Sequence, residues 1–422
     1  MSERFEHIVI GGGISGLGLA YYAARRGVPT LVLEAQGRVG GCLHSPTFPG
    51  CGDFWVEAGG HTGFNSYGHL LDILGDLGMM PRLTPKAKVS YALWRGGQRH
   101  RILSALHPLE LLLSLPRLFS ARARKASLSV RDYYGPGLGA KNYRDLFGPA
   151  FSAVICQPAD EYPADLLFRR KPRRKEVLRA FTLPGGLGEI PLALARQPGV
   201  EVRTGQDLVG VHWDGKDFRL LLADGGELRA GTLSLATPPD VAARLLGPQA
   251  LAAHPPAVPA LTQEGLAAIA GIGMSEVETL VACVPAMALG HLPPTAGLIA
   301  VDDAFNAMVA RDYLADPAYR GFSFHFRPGA LDAAGQMDRA CAALGIEPHQ
   351  VAGQFPVHNR LPALRVGHGG RVARLDAALA GTRLAITGNW FQGVSIEDCL
   401  TRSQEECDRL FPTPTPDKVV AP

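Results

Sequence analysis

Apolar residues near the start of the chain form short runs separated by a stretch with helical spacing. Residues 8–10 are a run of Ile and Val that predicts a buried strand, and residues 30–33 predict a second one. Between them, residues 14–26 are rich in Ala and Leu and are followed by Gly27, as expected of a helix closed by glycine. The pattern predicts a strand–helix–strand unit with two parallel strands.

The rest of the chain continues to alternate between predicted strands and helices. A helix is predicted over residues 69–77, and residues 89–94 with a turn at 95–98 predict a hairpin. Residues 106–133 are Leu-rich with interspersed Arg and Pro, which indicates helices. The other predicted elements are a meander over 203–224, a buried strand over 232–237, a last strand over 382–387 and a closing helix over 396–410.

The composition is that of a globular protein. With 422 residues, 46% hydrophobic and 19% charged, the chain is long enough for two domains and a large core. A net charge of +3 is too small to indicate nucleic-acid binding. The 7 cysteines show no CxxC spacing, so we expect a reducing compartment, no disulfide framework and no metal. Since the polar first residues lead directly into a strand and no run of about 18 apolar residues occurs, we expect a cytoplasmic protein with neither signal peptide nor transmembrane helix.

The turn between the first strand and the first helix has the sequence of a phosphate-binding loop. In GGGISG, Gly11 makes the tight turn, Gly13 lets the backbone approach a pyrophosphate, and Gly16 lets the helix pack on the strand. Ser15 lies in the same turn, where the helix start offers N–H groups to an anion. Glu34 ends the next strand, where a carboxylate accepts hydrogen bonds from a ribose and disfavours NADP. The motif predicts a bound dinucleotide; a purely structural unit without ligand is the alternative.

Arg38 and the pair Gly40 and Gly41 extend this motif. This extension resembles the segment after the second strand in FAD-dependent amine oxidases, protoporphyrinogen oxidases and carotenoid desaturases. Further stretches are similar to motifs of the protoporphyrinogen oxidase branch of the flavin amine oxidase superfamily, and the similarity covers nearly the whole chain. These stretches are residues 181–187, 236–238, 361–368 and 388–399.

The resemblance implies an α/β fold with a Rossmann-type, GR2-like FAD-binding domain and a discontinuous α+β substrate-binding domain. We assign residues 1–80, 201–245 and 373–411 to the FAD-binding domain. Residues 81–200 and 246–372 are assigned to the substrate-binding domain, and residues 412–422 to a disordered tail.

The resemblance also implies FAD held without a covalent link. A helix that begins after Ser395 would direct N–H groups towards a reduced flavin, although its sequence also suits an ordinary helix start. For Cys42 and Cys399 we favour the interpretation that they are small apolar residues where the chain is tight. The implied cofactor residues are Gly11, Gly13, Ser15, Gly16, Glu34, Arg38, Gly40, Gly41, Cys42, Glu57, Gly59, Gly60, Val209 on the adenine side, and Gly388, Val394, Ser395 and Ile396 on the flavin side.

The implied chemistry is dehydrogenation, in which a hydride leaves an sp³ carbon for flavin N5 and a proton goes to solvent or to a base. The cofactor performs this step, so the catalytic side chains stay unknown. No lysine occurs between Lys216 and Lys418, which argues against amine oxidation of the type that uses a lysine near N5. Candidates on the substrate side are Arg95, Arg99 and Arg101 for the carboxylates of a porphyrinogen, and His368. A solvated arginine cluster and a structural histidine are the competing interpretations.

Several alternatives stay open. The same scaffold serves isoprenoid or carotenoid desaturases, oxidases of other small molecules, isomerases that use reduced FAD, and FAD-binding modules without turnover. The electron acceptor is expected to be oxygen or a quinone, and a homodimer is compatible with the sequence.

Two stretches bear on membrane contact. Residues 106–125 combine an apolar run with cations behind it, and residues 169–175 hold six positive charges. An apolar helix beside cations can lie in a membrane interface and take a lipophilic substrate from it. A core helix with a solvated basic loop is the alternative.

Overall fold

The computed structural model describes residues 3–247 and 263–412. By its internal contacts the chain divides into a first unit of residues 1–41, 190–271 and 371–422 and a second unit of residues 42–189 and 272–370. The mixed α/β fold and the discontinuous course of both units confirm the predicted fold class. Residues 42–80, which we assigned to the FAD-binding domain, belong to the second unit by this division. The assignment of cofactor and substrate roles to domains stays a prediction.

The strands are numbered in chain order. They are β1 Glu3–Ile10, β2 Thr30–Glu34, β3 Gly63–Phe64, β4 Thr84–Pro85, β5 Tyr91–Arg95, β6 Gln98–Arg101, β7 Ala180–Thr182, β8 Val200–Thr204, β9 Leu208–Trp213, β10 Phe218–Leu222, β11 Glu227–Leu235, β12 Gly273–Pro285, β13 Gly297–Val301, β14 Phe305–Ala310, β15 Tyr319–Phe326, β16 Gly353–Ala363 and β17 Leu384–Ile386.

The α-helices are numbered in the same way. They are α1 Ile14–Ala24, α2 Gly68–Asp76, α3 Pro108–Ala121, α4 Val130–Leu138, α5 Ala140–Asn142, α6 Gly148–Ile155, α7 Glu189–Leu194, α8 Pro239–Leu246, α9 Gln263–Ala270, α10 Ala333–Leu344, α11 His368–Leu379 and α12 Ile396–Leu410. Shorter helical turns cover Met80–Arg82, Ile102–Ala105, Arg122–Ser127, Tyr143–Phe147, Ala286–Leu289 and Pro348–Gln350.

The first unit is built on one seven-stranded sheet. Its strand order is β8-β2-β1-β11-β10-β9, and β17 also pairs with β11. The pairs β8–β2, β2–β1, β1–β11 and β11–β17 are parallel, whereas β9, β10 and β11 form the predicted antiparallel meander. We predicted a separate buried strand over 232–237, but β11 is one strand that pairs first with β10 and then, beyond Ala230, with β17.

Helix α12, predicted over the same residues, packs against α1 in this unit. A Cβ atom on Gly18 would lie 2.5 Å from Leu400 Cδ2, so glycine permits the close approach of the two helices. The hydroxyl of Ser403 donates a hydrogen bond of 2.8 Å to the carbonyl oxygen of Ser15. Residues from the two ends of the chain therefore meet beside the glycine turn.

The second unit contains a seven-stranded sheet in the order β16-β12-β15-β14-β13-β5-β6. Its neighbours are antiparallel except for the parallel pair β13–β5. Phe305, Phe322, Phe324 and Phe326 form the aromatic centre of the main core, and all four are fully buried. A three-stranded sheet, β3-β7-β4, completes the unit.

Helix α3, predicted within residues 106–133, exposes part of its apolar face. Leu109, Leu112 and Leu113 are 76%, 69% and 77% exposed, and they lie on one side of the helix because of their i, i+3, i+4 spacing. In residues 3–247 and 263–412, no helix is both long enough and apolar enough to cross a membrane. The predicted tail beyond residue 412 lies outside the described residues.

Candidate functional site

The glycine turn of the first unit is shaped for a ligand. Gly11 adopts φ +105°, and a Cβ atom on it would lie 2.6 Å from the carbonyl oxygen of Ala236. A Cβ atom on Gly16 would overlap the carbonyl oxygen of Gly11. By contrast, a Cβ atom on Gly13 would meet no protein atom within 4 Å. Packing thus requires glycine at two positions, while Gly13 borders open space where a pyrophosphate can approach the backbone.

The Glu34 carboxylate is hydrogen-bonded to the backbone of this turn. Its Oε2 accepts a hydrogen bond of 2.7 Å from the backbone N–H of Gly12, and its Oε1 accepts one of 2.8 Å from that of Gln36. Each carboxylate oxygen can accept a second hydrogen bond, so Glu34 keeps acceptor capacity for a ribose. The sequence placed this acid correctly at the end of β2.

The loop with Arg38, Gly40 and Gly41 lies against the glycine turn. The N–H of Gly40 donates to the carbonyl oxygen of Gly12 at 2.8 Å, and Gly13 forms an isolated parallel bridge with Gly40. Arg38 Nη1 donates to the carbonyl oxygen of Gly41 at 3.1 Å, which holds the loop in a tight curve. The glycine turn and the loop of residues 38–41 are therefore in direct contact.

The end of β11 and the two residues after it, 236 and 237, contact both the end of β1 and Trp390 in the segment before α12. The N–H of Ala236 donates to the carbonyl oxygen of Ile10 at 2.7 Å. The next residue, Thr237, accepts a hydrogen bond of 3.1 Å at its carbonyl oxygen from Trp390 Nε1. The Thr237 hydroxyl is buried and has no hydrogen-bond partner among the residues described here. A buried polar atom of this kind suits a site that a polar ligand completes.

The segment before α12 is held by local contacts to the first turn of that helix. Gly393 has φ +139°, and a Cβ atom on it would lie 2.7 Å from Asp398 Oδ2. The Ser395 hydroxyl accepts from the N–H of Asp398 at 3.2 Å and donates to its carboxylate at 2.5 Å, a capping box. The Asp398 carboxylate at this helix start offsets part of the positive end of the helix dipole. These contacts are those of the ordinary helix start that the sequence also allowed, and the contact of this helix start with the flavin stays a prediction.

Most of the predicted cofactor residues lie in the first unit, where the glycine turn contacts the loop of residues 38–41 and the end of β11, and the end of β11 contacts Trp390. The open space at Gly13 and the unpartnered Thr237 hydroxyl fit a dinucleotide. The predicted cofactor residues in this unit are Gly11, Gly13, Ser15, Gly16, Glu34, Arg38, Gly40, Gly41, Val209, Gly388, Val394, Ser395 and Ile396. Val209 lies on β9 and is 39% exposed.

The remaining predicted cofactor residues, Cys42, Glu57, Gly59 and Gly60, lie in the second unit. The N–H of Gly60 donates to the carbonyl oxygen of Cys42 at 3.0 Å, and a Cβ atom on Gly59 would overlap that oxygen. Two backbone segments therefore cross at a point where only glycine fits.

Glu57 is buried and ties three segments of the second unit together. Its carboxylate accepts hydrogen bonds of 2.7 Å from the backbone N–H of Leu187 and from the hydroxyl of Ser45. Burial raises the pKa of Glu57 to about 7, against the opposing effect of these two bonds. The Ser45 hydroxyl also accepts from the N–H of Gly188 at 3.0 Å, so the end of the family-like stretch 181–187 is anchored here.

A cluster of basic side chains next to Gly60 was not foreseen from the sequence. His61 Nε2 lies 3.2 Å from His325 Nε2, and His325 Nδ1 lies 3.0 Å from the hydroxyl of Thr279. Lys86 Nζ donates to the carbonyl oxygen of His61 and to the hydroxyl of Thr62, both at 2.7 Å. The one signal was His325 itself, a polar residue in the otherwise apolar run FSFHF of β15.

The structure does not bring the substrate-side arginines together. Arg95 donates to the carboxylate of Asp145 at 2.9 Å, and Arg99 donates to the carbonyl oxygen of Ala343 at 2.9 Å. Arg101 pairs with Ala92 across the β5–β6 hairpin and Arg99 with Trp94, so Arg99 and Arg101 share one face while Arg95 lies on the other.

His368 begins α11 and is buried at 4% exposure. Its N–H donates to the carbonyl oxygen of Arg365 at 3.0 Å, which is an ordinary turn contact before a helix. This placement is compatible with both the structural and the functional interpretation.

The shape of the glycine turn fits a dinucleotide, and a family match identifies the class of protein. The sequence pattern described as flavin containing amine oxidoreductase matches residues 14–285, more than half of the chain, and the chain belongs to this family. It is accordingly an FAD-dependent oxidase or dehydrogenase.

Individual relatives are similar along the whole chain. Bovine (Bos taurus) protoporphyrinogen oxidase is 23% identical over 482 aligned positions, which cover 96% of this chain and 98% of the relative. Among solved structures, an Exiguobacterium protein provisionally assigned as a protoporphyrinogen oxidase superposes with a TM-score of 0.74 at 18% identity, covering 97% and 99% of the two chains. Cyclohexylamine oxidase from Brevibacterium oxydans gives a TM-score of 0.69 at 15% identity, covering 96% and 98%. At these identities the structural likeness shows the fold.

Proposed function

We propose that this protein dehydrogenates a bulky, largely apolar substrate, and that the substrate is a porphyrinogen. The observation that carries the proposal is the end-to-end similarity to protoporphyrinogen oxidase, which includes 98% of that relative's length. When bound, FAD supplies the acceptor for a hydride at N5. The electron acceptor that reoxidises the enzyme is oxygen or a quinone.

The residues of this chain have binding and orienting roles in the proposal. Gly13 and Glu34 bind the pyrophosphate and the ribose of FAD. The backbone at Gly59 and Gly60, and Val394 to Ile396, provide further contacts to the cofactor. These assignments are those that the family resemblance implies.

The lysine content supports a substrate other than an amine. None of the strands of the large sheet in the second unit contains a lysine, and none occurs between Lys216 and Lys418. Lys86, which lies outside these strands, directs its ammonium to His61 and Thr62 and lies 3.4 Å from the centre of the Tyr313 ring. Its hydrogens are thus already committed to protein acceptors.

Among the three substrate-side arginines, Arg101 is the best candidate to bind a carboxylate. The side chains of Arg95 and Arg99 are engaged by Asp145 and by the carbonyl oxygen of Ala343. The side chain of Arg101 is exposed and makes no hydrogen bond to the residues that the structure describes. An arginine whose guanidinium has no acceptor within the protein can form two parallel N–H hydrogen bonds to a carboxylate.

We also propose that α3 contacts an anionic membrane surface. Its exposed Leu109, Leu112 and Leu113 form an apolar stripe, and Arg117 follows on the same helix. The segment over residues 169–175, with six positive charges, belongs to the same unit. This combination suits an interfacial helix through which a lipophilic substrate enters.

The proposed reaction is tested by anaerobic mixing of the yellow holoenzyme with candidate substrates. Protoporphyrinogen or coproporphyrinogen is expected to bleach the flavin absorbance near 450 nm, whereas primary amines are not. Flavin that stays oxidised with both porphyrinogens would refute the porphyrinogen proposal. Bleaching by an isoprenoid substrate alone would favour a desaturase, and bleaching by amines alone would contradict the argument from lysine.

A further inference from the structure

We propose that Cys51 and Cys283 form a modification site, at which hydrogen peroxide joins the two thiols into a disulfide that a thiol reductant opens again. The inference goes beyond the proposed function, because it concerns the second unit alone and requires neither cofactor nor substrate. All seven cysteines of the chain are free thiols in the structure. Two thiols can be joined without a large backbone movement only where their side chains already meet.

The sulfur atoms of Cys51 and Cys283 are in direct contact. Cys283 Sγ donates a hydrogen bond of 3.4 Å to Cys51 Sγ, although 232 residues separate the two in sequence. Both side chains are buried, since Cys51 is 6% exposed and Cys283 is fully enclosed. A disulfide has about 2.05 Å between its sulfur atoms, so the two atoms have to approach by about 1.4 Å. Small rotations of the two side chains can supply this movement.

Other cysteines of the chain have different neighbours. Cys341 Sγ lies 3.6 Å from Met337 Sδ, and Cys407 Sγ accepts a hydrogen bond of 3.1 Å from Arg26 Nη1. Neither a thioether nor a guanidinium can form a disulfide. Cys341 is therefore a buried cysteine of the same unit with which the reactive pair can be compared.

Cys283 lies on a backbone that is held on both sides. It is near the end of β12, where it pairs with Gly321 of β15 on one side and with Gly353 of β16 on the other. Its carbonyl oxygen also accepts a hydrogen bond of 2.9 Å from the N–H of Ala352. The sheet thus fixes this sulfur atom, and any adjustment has to come from the partner.

Cys51 lies in a short turn at the surface of the unit. Its N–H donates to the carbonyl oxygen of Phe48 at 3.1 Å, and its own carbonyl oxygen accepts from the N–H of Phe54 at 3.2 Å. Gly50 and Gly52 flank it, are exposed, and have φ +82° and +59°. A turn with two exposed glycines can shift at low cost and admit a small oxidant to Cys51.

The surroundings give the two thiols different roles. Burial raises the pKa of the Cys283 thiol, and the hydrogen bond to Cys51 raises it further. The Asp316 carboxylate acts in the same direction, whereas the Arg311 guanidinium opposes it. Cys283 therefore keeps its hydrogen and directs it at Cys51, so Cys51 is the sulfur that reacts first with the oxidant.

The modification balances in two steps. Cys51 Sγ attacks one oxygen of hydrogen peroxide, the O–O bond breaks, and the thiol proton leaves with the other oxygen as water, which gives a sulfenic acid. Cys283 Sγ then attacks this sulfur atom, the S–O bond breaks, and the Cys283 proton leaves with the hydroxide as a second water. The two thiols lose two electrons and the peroxide gains them. Because the Cys283 proton passes to the departing hydroxide, the step does not require a free Cys283 thiolate.

The disulfide ties the turn to the sheet beneath it. Phe48, Phe54 and Val56 already pack with Val281 and with the two cysteines in one buried cluster. A covalent link between residues so distant in sequence restricts the unfolded chain and thereby stabilises the folded one. The same link holds the segment that leads to Glu57, which anchors the stretch around Leu187.

The test treats the purified holoenzyme with a small excess of hydrogen peroxide and counts thiols after denaturation. We expect the count for the wild type to fall from seven to five, and to return to seven after treatment with dithiothreitol. Peptide mapping without reductant is expected to show the peptide of Cys51 joined to that of Cys283. Cys51→Ala and Cys283→Ala are expected to give no joined peptide. The matched control, Cys341→Ala, is expected to form the link like the wild type.

A second measurement compares melting temperatures. The oxidised wild type is expected to melt at least about 3 °C above the reduced protein, and Cys283→Ala to gain nothing from peroxide. A thiol count that stays at seven, or a link that joins other cysteines, would overturn the inference. Since no substrate is added, these results are independent of whether a porphyrinogen bleaches the flavin.

Discussion

The indole N–H of Trp390 donates a hydrogen bond of 3.1 Å to the carbonyl oxygen of Thr237, although 153 residues separate the two in sequence. Thr237 follows Ala236, whose carbonyl oxygen leaves no room for a side chain on Gly11. The end of β11 therefore lies between the glycine turn and the loop that leads to α12. This contact brings motifs from both ends of the chain to the same side of the first unit, as the predicted cofactor site requires.

The first prediction concerns the open space at Gly13. This residue has φ −76°, which alanine adopts readily, and a Cβ atom would meet no protein atom within 4 Å. We expect Gly13→Ala to fold normally but to bind FAD about ten- to a hundredfold more weakly, because the methyl group takes the place of the pyrophosphate. Flavin content after purification and titration of the apoprotein with FAD measure the loss.

The control for this prediction is Gly37→Ala, which adds the same methyl group in open space on the neighbouring loop. It is expected to retain FAD. Gly16→Ala, by contrast, is expected to destabilise the fold itself, because its Cβ atom overlaps the carbonyl oxygen of Gly11. Full flavin occupancy in Gly13→Ala would argue against a pyrophosphate at this turn.

The second prediction concerns the pH dependence of stability that Glu57 confers. Its pKa in the folded state is about 7, above the ordinary value of 4.5 that applies when the chain is unfolded. Between these two values the unfolded chain releases the proton and the folded chain keeps it. The free energy of unfolding therefore falls as pH rises from about 4.5 to about 7, by about 3 kcal/mol, and is constant above that range.

Glu57→Gln removes this dependence, while the amide can still bond to Leu187 and Ser45. We expect the melting temperature of the variant to gain roughly 4 °C relative to the wild type between pH 5 and pH 8. Glu176→Gln, which removes an exposed carboxylate of the same unit, is the control. Parallel pH curves for wild type and Glu57→Gln would contradict the prediction.

The third prediction separates the three substrate-side arginines. Arg101→Gln is expected to raise KM for a porphyrinogen about tenfold with little change in kcat, because a charge-assisted bond to a carboxylate is lost. Arg95→Gln and Arg99→Gln are expected to lower the melting temperature instead, since they break bonds to Asp145 and to Ala343. An unchanged KM in Arg101→Gln would favour a substrate without carboxylates, as in the desaturase alternative.

The fourth prediction concerns the exposed leucines of α3. The double variant Leu112→Gln and Leu113→Gln is expected to weaken binding to vesicles containing anionic lipid at least tenfold, because each leucine loses about 1.5–3 kcal/mol of burial in the lipid interface. Since both side chains are exposed, the melting temperature should not fall. Met287→Gln, at 91% exposure, removes an apolar side chain elsewhere in the unit and should bind like the wild type. Equal vesicle binding by all three proteins would show that α3 does not contact the membrane.

Local patterns predicted much of the first unit. The helix over residues 396–410 occurs with those bounds, and α1 begins at the predicted residue but ends at Ala24, two residues early. The sequence correctly predicted strand β1, the glycine turn and the acid at the end of β2. Each of these features depends on residues that are neighbours in sequence. The strand over 232–237 was only partly correct, since the pairing of β11 with both β10 and β17 is a long-range property.

The sequence by itself determined the glycine turn, the helix start and the terminal acid of a predicted dinucleotide-binding unit, because these are local features that require particular residue types. Through its motifs it also indicated the flavoenzyme family. Only the tertiary structure decided which distant residues surround that turn, that Arg95 and Arg99 are occupied by internal partners, and that Lys86, His61 and His325 form one cluster. The physical reason is that these contacts join residues far apart in the chain, where hydrogen-bond geometry and burial, rather than residue type, determine what each side chain can do.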